Sequence, residues 1–112
     1  MKFSGNPIEY LIDGVAAVRP EYEEEELRWG FINSKGKMVI PPKFKDATIF
    51  REGLCAVKKE GKWGYIDKKG NTVIPFKYVS ATEFEDGFAQ VEFPKNKKYI
   101  TITIDRTGKW VD

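Results

Sequence analysis

The chain has 112 residues, of which 41% are apolar and 32% are charged, and its formal net charge is +2. This length suits one compact domain and is too short for two ordinary ones, and the composition is that of a folded protein rather than a disordered one. No apolar run approaches the roughly 18 residues of a membrane span and the N-terminus lacks a secretory signal, so we expect a cytoplasmic protein without membrane contact.

Two segments of the chain, 29–41 and 63–75, carry nearly the same sequence. The first reads Trp-Gly-Phe-Ile-Asn-Ser-Lys-Gly-Lys-Met-Val-Ile-Pro and the second reads Trp-Gly-Tyr-Ile-Asp-Lys-Lys-Gly-Asn-Thr-Val-Ile-Pro. The same offset of 34 relates Phe50 to Phe84. A fixed period of about 20 to 50 residues is typical of tandem architectures, in which each copy buries its apolar face on a neighbour.

A partial copy precedes the first full one, because residues 11–18 match residues 50–57. The linker that follows is five residues longer than its later counterpart and carries the acidic run Glu23–Glu26. Residues 1–28 hold three bases and seven acids, a net charge of −4, whereas residues 29–112 hold sixteen and ten, a net charge of +6. A basic surface would suit an anionic partner, although solvated lysines on turns explain the excess more simply.

Each full copy opens with a predicted hairpin. The segment Trp29–Ile32 is short, aromatic and β-branched, which favours a strand. A four-residue segment follows that begins with Asn or Asp and ends with Gly, and it recurs at 33–36, 67–70 and 105–108. The Asx side chain suits the first position of a type I turn, and glycine suits the left-handed position after it.

Two further strands are predicted in each copy. In the first, the return strand 38–40 should stop at Pro41, because proline cannot donate to a strand ladder. A connecting stretch, 43–50, leads through a glycine turn to a third strand at 54–57, and residues 58–62 turn the chain back towards the next Trp-Gly pair.

The last copy is incomplete. Residues 104–111 match residues 66–73, but Thr101-Ile102 stands where the Trp-Gly pair would be. The strand 99–104 has high β-propensity and no charge. At an open sheet edge it would be a docking site for another strand or an aggregation hazard, and we favour pairing within the fold.

These elements predict an all-β fold of tandem antiparallel three-stranded meander repeats of about 34 residues, packed as a small array. No segment has the 3.6-residue period of an amphipathic helix, apart from a possible turn around Glu21–Leu27. We divide the single domain into a partial repeat 1–28, full repeats 29–62 and 63–98, and a partial capping repeat 99–112.

The motifs Trp-Gly-Phe/Tyr-Ile-Asx-x-x-Gly, Val-Ile-Pro and Phe-x-Glu/Asp-Gly-x-Ala-x-Val, in that order, resemble the WG-repeat (KWG-type) family of bacterial tandem β-repeats. The match runs roughly from Leu11 to Val111; Lys62-Trp63-Gly64 carries the three-letter signature, and Arg28 takes the lysine position in the other copy. The resemblance implies a bacterial, non-enzymatic module that mediates interactions, with no cofactor and no catalytic residue.

The residue inventory points the same way. The chain has no histidine, which removes the commonest general base, the Ser-His and Cys-His nucleophile arrangements and the usual zinc sites. Cys55, the single cysteine, aligns with Ala16 and Ala89, so we interpret it as a small buried side chain. We predict no catalytic, metal-binding or cofactor-binding residue. Paired carboxylates, above all Glu83, Glu85 and Asp86, are the remaining chemistry an enzyme could use.

Aromatic residues offer the candidate binding positions. Trp29, Trp63, Phe50 and Phe84 recur at equivalent positions, as residues that fill a core between repeats would. Aromatic residues that differ between copies are better candidates for contact with a partner, and they are Tyr22, Phe76, Phe93 and Tyr99.

Three functions follow as hypotheses. The first is a non-catalytic repeat module that binds a protein or peptide through an exposed face of the array or a terminal edge strand. The second is binding of an anionic polymer, nucleic acid or acidic glycan, by lysine-rich turns. A carboxylate-dependent hydrolase is the remote third.

Overall fold

The computed structural model describes residues 2–3, 14–21 and 28–111 of the chain. Within these ranges the chain forms antiparallel strands joined by turns and loops, and no helix. A small sheet pairs β1 (Lys2–Phe3) with β3 (Pro20–Glu21). Three larger sheets make up the body of the array, which confirms the predicted all-β repeat fold.

The three larger sheets have related strand orders. The first sheet, in the order β2-β4-β5, contains β2 (Val15–Val18), β4 (Trp29–Asn33) and β5 (Met38–Phe44). The middle sheet, in chain order, contains β6 (Asp46–Ala47), β7 (Cys55–Lys59), β8 (Lys62–Ile66) and β9 (Thr72–Tyr78). The last sheet, also in chain order, contains β10 (Ser80–Ala81), β11 (Phe88–Lys95), β12 (Lys98–Asp105) and β13 (Trp110–Val111).

The sheets are out of phase with the sequence repeat. The middle sheet takes β6 and β7 from the copy that starts at Trp29, and it takes β8 and β9 from the copy that starts at Trp63. Each boundary between sequence copies therefore lies inside a hydrogen-bonded sheet, which ties consecutive copies together. The connecting stretches add the two-residue strands β6 and β10 to the three predicted strands.

The predicted stop at the prolines is wrong, because β5 continues through Pro41 to Phe44 and β9 continues through Pro75 to Tyr78. In the middle sheet Trp63 pairs with Tyr78 and Tyr65 pairs with Ile74, so residues 75–77 bulge opposite Gly64. A proline is tolerated in a bulge because its missing N–H is not needed by the ladder there.

This bulge explains the glycine of the Trp-Gly pair. A Cβ atom on Gly64 would lie 2.8 Å from the carbonyl oxygen of Ile74 and 3.0 Å from the Cα atom of Phe76. At Gly30 it would lie 2.7 Å from the carbonyl oxygen of Ile40. The Trp-Gly and Val-Ile-Pro motifs are therefore the two sides of one close backbone contact.

The predicted Asx-Gly turns are confirmed in all three places. The Oδ1 atom of Asn33 accepts hydrogen bonds from the N–H groups of Lys35 and Lys37, at 2.9 and 3.0 Å. Asp67 and Asp105 accept equivalent bonds from the residues two and four positions after them. The glycine that closes each turn has a positive φ, between 77° and 88°.

The core lies between the stacked sheets. Buried residues of the first and middle sheets, together with Phe50, form one cluster: Val15, Phe31, Ile40, Phe44, Phe50, Cys55, Val57 and Ile66. Buried residues of the middle and last sheets, together with Leu54 and Phe84, form a second: Leu54, Ala56, Tyr65, Ile74, Tyr78, Phe84, Ala89, Val91 and Ile104. A small third cluster lies in the first sheet and consists of Ala16, Val18 and Ile32. Along β7 the side chains alternate between the first two clusters, as the two-residue period of a strand requires.

The repeated aromatic residues belong to this scaffold to different degrees. The ring of Phe50 packs edge-on against Phe31 at 5.0 Å, and that of Phe84 packs edge-on against Tyr65 at 4.9 Å, so both phenylalanines are the predicted core residues. Trp63, by contrast, is only half-buried against the second cluster.

Cys55 is the buried small residue that its alignment with two alanines predicts. Burial raises the pKa of its thiol to about 12, because the effect of burial is larger than that of the hydrogen bonds with Thr48, which lower the pKa. The thiol therefore stays protonated at neutral pH, and it packs as a small apolar side chain.

Candidate functional site

The outer face of the last sheet is the most distinctive surface of the array. Gln90 on β11 pairs with Thr103 on β12, while their neighbours Ala89 and Ile104 are in the core. Because successive residues of a strand point to opposite faces, Gln90 and Thr103 point away from the core. Phe88 lies on the same face and is 45% exposed. We call this surface, defined by Phe88, Gln90 and Thr103, the end face.

The positions that form the end face are core positions in the middle sheet. The 34-residue offset relates Phe88 and Gln90 to Leu54 and Ala56, and the Asx-Gly turns that follow relate Thr103 to Tyr65. All three equivalent residues are buried, Ala56 and Tyr65 on strands of the middle sheet and Leu54 immediately before β7. The face that is apolar and buried in the middle sheet is therefore exposed and largely polar in the last sheet.

We call each sheet, together with its connecting stretch, a unit. The face of the middle sheet that carries Tyr65 is covered by the unit that follows it. Phe84 packs on the ring of Tyr65, and the hydroxyl of Tyr65 donates a hydrogen bond of 2.7 Å to the carbonyl oxygen of Thr82. Burial raises the pKa of this hydroxyl well above its ordinary value, so it remains a donor at all physiological pH values. With threonine in place of tyrosine, the end face lacks both the ring and this hydrogen bond.

An open concavity of about 770 Å³ lies beside the end face. The three end-face residues contribute to its wall, as do three acidic residues of the connecting stretch before β11: Glu83, Glu85 and Asp86. None of the described residues that line it is basic. The sequence had marked these acids as the chain's remaining catalytic chemistry, and the structure brings all three to one concavity.

The acids are specific to the last unit. The offset of 34 relates Glu83, Glu85 and Asp86 to Ile49, Arg51 and Glu52. An apolar residue and a base have therefore become acids, and the local charge has changed from zero to −3. In the described part of the chain, no three acidic or cysteine side chains converge closely enough to hold a metal ion.

The four predicted contact aromatics are scattered. Tyr22 lies outside the described residues. Phe76 is half-buried and stacks on Phe44 at 6.5 Å, and Phe93 is half-buried with its ring edge-on to Tyr78 at 6.4 Å. Tyr99 is 65% exposed on β12, and none of the last three lines the concavity. Their contact with a partner stays a prediction.

Sequence reasoning missed Gln90 and Thr103. The signal was present, because both replace apolar residues of the preceding copy, Ala56 and Tyr65. The candidate contact residues named from the sequence are all aromatic, whereas Gln90 and Thr103 are polar.

One edge of the last sheet is partly open. The strand β12 pairs with β11 along its full length, as the sequence favoured, but β13 pairs only with Thr103 and Ile104 on the other side. Among the described residues, no strand pairs with Tyr99–Ile102 on that side. The equivalent edge of β8 is paired with β9 from Trp63 onwards.

Lysines gather at two hairpin tips. The turn between β7 and β8 is flanked by Lys59 and Lys62, and the turn between β11 and β12 carries Lys95, Lys97 and Lys98. All five side chains are exposed. The two hairpins join equivalent strands of neighbouring sheets, and we call these five exposed lysines the lysine rim.

A stack of short antiparallel sheets, each assembled across a repeat boundary, defines a tandem β-repeat protein, and the polar end face is its candidate interaction site. The sequence model of the family described as "WG containing repeat" matches residues 29–63 and 63–99, and the chain belongs to this WG-repeat family. No curated protein and no solved structure matches the chain. Within the described residues, no helix is long and apolar enough to cross a membrane.

Proposed function

We propose that the chain is a non-catalytic WG-repeat module that binds a protein or peptide partner at its end face. The observation that carries the proposal is the exchange of buried for exposed side chains at equivalent positions of the middle and last sheets. A face that is covered in the middle sheet is replaced in the last sheet by a concavity with polar and apolar walls.

The end face has the mixed chemistry of a recognition surface. Phe88 offers exposed aromatic area, and Gln90 and Thr103 offer hydrogen-bonding groups beside it. Protein interfaces combine apolar anchors with polar groups that fix the orientation of the partner. The absence of histidine leaves the site without the commonest general base, which supports binding rather than catalysis.

The proposal is tested by obstructing the end face. Peptides are selected from a phage-displayed random dodecapeptide library on the immobilised full chain, and their affinities are measured by fluorescence anisotropy. We expect Gln90→Trp, which places a large ring on the end face, to weaken binding about tenfold or more. The matched control is Val73→Trp on β9, where the original side chain is also exposed but does not line the concavity.

Two outcomes would contradict the proposal. One is that no peptide is enriched over an unrelated β-protein. The other is that the selected peptides bind the Gln90→Trp variant and the Val73→Trp variant as tightly as they bind the original chain.

A second candidate function rests on the lysine rim. Five exposed lysines at two hairpin tips could bind the phosphates or carboxylates of an anionic polymer. Affinity for single-stranded DNA or heparin should then fall steeply with salt, and the combined change of Lys95, Lys97 and Lys98 to Gln should flatten that dependence. Undetectable binding of both polymers at low salt would exclude this candidate.

A cytoplasmic location in a bacterium is part of the same proposal. The family resemblance supports the bacterial source, and the single free cysteine is compatible with a reducing compartment. Subcellular fractionation of the source cells with an antibody to the chain would test the location.

A further inference from the structure

The contact between the middle and last units shows how the glycine turn of one unit is bound by the unit that covers it. Glu52 lies in the glycine turn before β7, and its carboxylate accepts hydrogen bonds of 2.9 and 3.2 Å from the backbone N–H of Gly87 in the next unit. The Nε atom of Arg106, on the turn before β13, lies 3.9 Å from the same carboxylate. One acidic side chain thus receives a turn N–H and a guanidinium from the element that covers it.

Asp86 occupies the position of Glu52 in the last unit. Both residues precede the glycine of their turn, and both have a left-handed backbone, with φ of 55° at Glu52 and 53° at Asp86. Glu52 is half-buried under the next unit, whereas Asp86 is exposed in the wall of the concavity. The concavity beside the end face therefore retains an acid at the position where Glu52 is engaged.

The side chains around Asp86 add to its charge. Glu85 replaces Arg51 and Glu83 replaces Ile49, so the concavity beside the end face has three acids where the equivalent positions of the preceding copy have one acid and one base. A covering segment that kept the interior pattern of contacts would need more positive charge than the interior unit supplies to Glu52.

We propose that the partner bound at the end face is a polypeptide segment that presents an arginine or lysine beside an apolar side chain. The basic group meets Asp86 and Glu85 as Arg106 meets Glu52, and the apolar side chain packs on Phe88. This inference rests on the proposed function, since it names the chemistry of the segment that binds the same face.

Two other occupants fit this face less well. A nucleic acid would bring its phosphates against three carboxylates. Residues 1–28 carry a net charge of −4 in the sequence, so a second copy that met the same acids with this segment would bring like charge to them. Both would be repelled, whereas a basic segment would be attracted.

The experiment compares charge removal at the end face with charge removal elsewhere. Peptides selected on the full chain are measured against the double variant Glu85→Gln/Asp86→Asn. Asparagine adopts the left-handed conformation at least as readily as aspartate, so the turn should fold normally. Glu60→Gln is the control, because Glu60 is also exposed and also has a positive φ, but it lies in the hairpin turn between β7 and β8.

The inference predicts enrichment of arginine and lysine among the selected peptides. It also predicts that the double variant weakens binding about tenfold or more at low salt, while Glu60→Gln changes it by less than about twofold. Thermal melting of each variant confirms that it is folded.

The outcomes separate this inference from the proposed function. Peptides that lose affinity in Gln90→Trp but show no basic enrichment and no effect of the double variant would overturn the basic-segment inference alone. Peptides that bind all the variants equally would overturn both. Binding of the DNA probe that Gln90→Trp abolishes, or self-association of the original chain that the double variant weakens, would also contradict the inference.

Discussion

Replacing Gly64 by alanine tests the physical account of the Trp-Gly pair. The added methyl group would lie 2.8 Å from the carbonyl oxygen of Ile74 and 3.0 Å from both the Cα and Cδ1 atoms of Phe76. Two of these three atoms belong to the backbone, so a rotamer change cannot remove the collision. The bulge of β9 must move away from β8, and Phe76 must shift on Phe44.

The cost follows from overpacking at a site that cannot relax by side-chain motion. Inserting a methylene into a packed core typically costs about 1–3 kcal/mol, and the forced displacement of two paired strands puts this case at the upper end. We expect Gly64→Ala to lower the free energy of unfolding by about 2–4 kcal/mol.

Gly61→Ala is the matched control. Gly61 lies in the turn just before β8, has a φ of +81°, and would place its Cβ atom with nothing within 4 Å. Gly61→Ala should therefore lower the free energy of unfolding only by the cost of a left-handed alanine, about 1–2 kcal/mol. Urea unfolding followed by tryptophan fluorescence gives both values. A smaller loss for Gly64→Ala than for Gly61→Ala would refute the collision argument.

Three further predictions concern the scaffold. Tyr78→Phe should raise the free energy of unfolding by about 1 kcal/mol in urea titrations, because the buried Tyr78 hydroxyl finds no partner among the described residues and phenylalanine already fills the equivalent position, Phe44. A loss of stability would contradict this. Trp63→Ala should cost about 2–3 kcal/mol by the same assay, less than full burial would imply, because the ring is half-buried; loss of peptide binding at unchanged stability would instead make it a binding residue. At Asp67, burial opposes ionisation, but hydrogen bonds from the Asn71 and Lys69 amides lower the pKa overall. The ionised Asp67 therefore stabilises the folded state above the unfolded-state pKa of about 3.9, and this stabilisation is lost as pH falls through the lower folded-state pKa. Asp67→Asn should therefore show a shallower acid-induced drop in melting temperature, and an equal drop would contradict the assignment.

Local signals in the sequence predicted the turns correctly. The Asx side chain and the glycine act within five residues of each other, so the geometry at Asn33, Asp67 and Asp105 follows from local chemistry. The period of 34 residues predicted that the units stack, because equivalent residues of tandem copies bury equivalent faces.

The prediction that strands end at the prolines was wrong because the contact that decides it is not local in sequence. Whether Pro75 ends a strand depends on what lies opposite it, and the neighbour opposite it is Gly64, on another strand. The glycine allows a bulge that accommodates the proline, and the strand continues to Tyr78. A reading of each motif by itself cannot detect this complementarity.

The candidate site was only partly visible in the sequence for a related reason. Differences between copies do mark it, and the sequence singles out the acids Glu83, Glu85 and Asp86. Which differing residues share a surface depends on strand register, which pairs Gln90 with Thr103. Phe76 and Phe93 also differ between copies, but they pack beside the core, because the faces they occupy are inner ones.

The central claim is that function resides where the last unit departs from the interior one. Two-dimensional ¹⁵N–¹H NMR spectra of the full chain, recorded during titration with a selected peptide, test it most directly. The account predicts that amide shifts change most around residues 83–90 and at Thr103, and little at the turns of the first sheet. Shifts confined to the lysine tips, or to the open edge at Tyr99–Ile102, would contradict it.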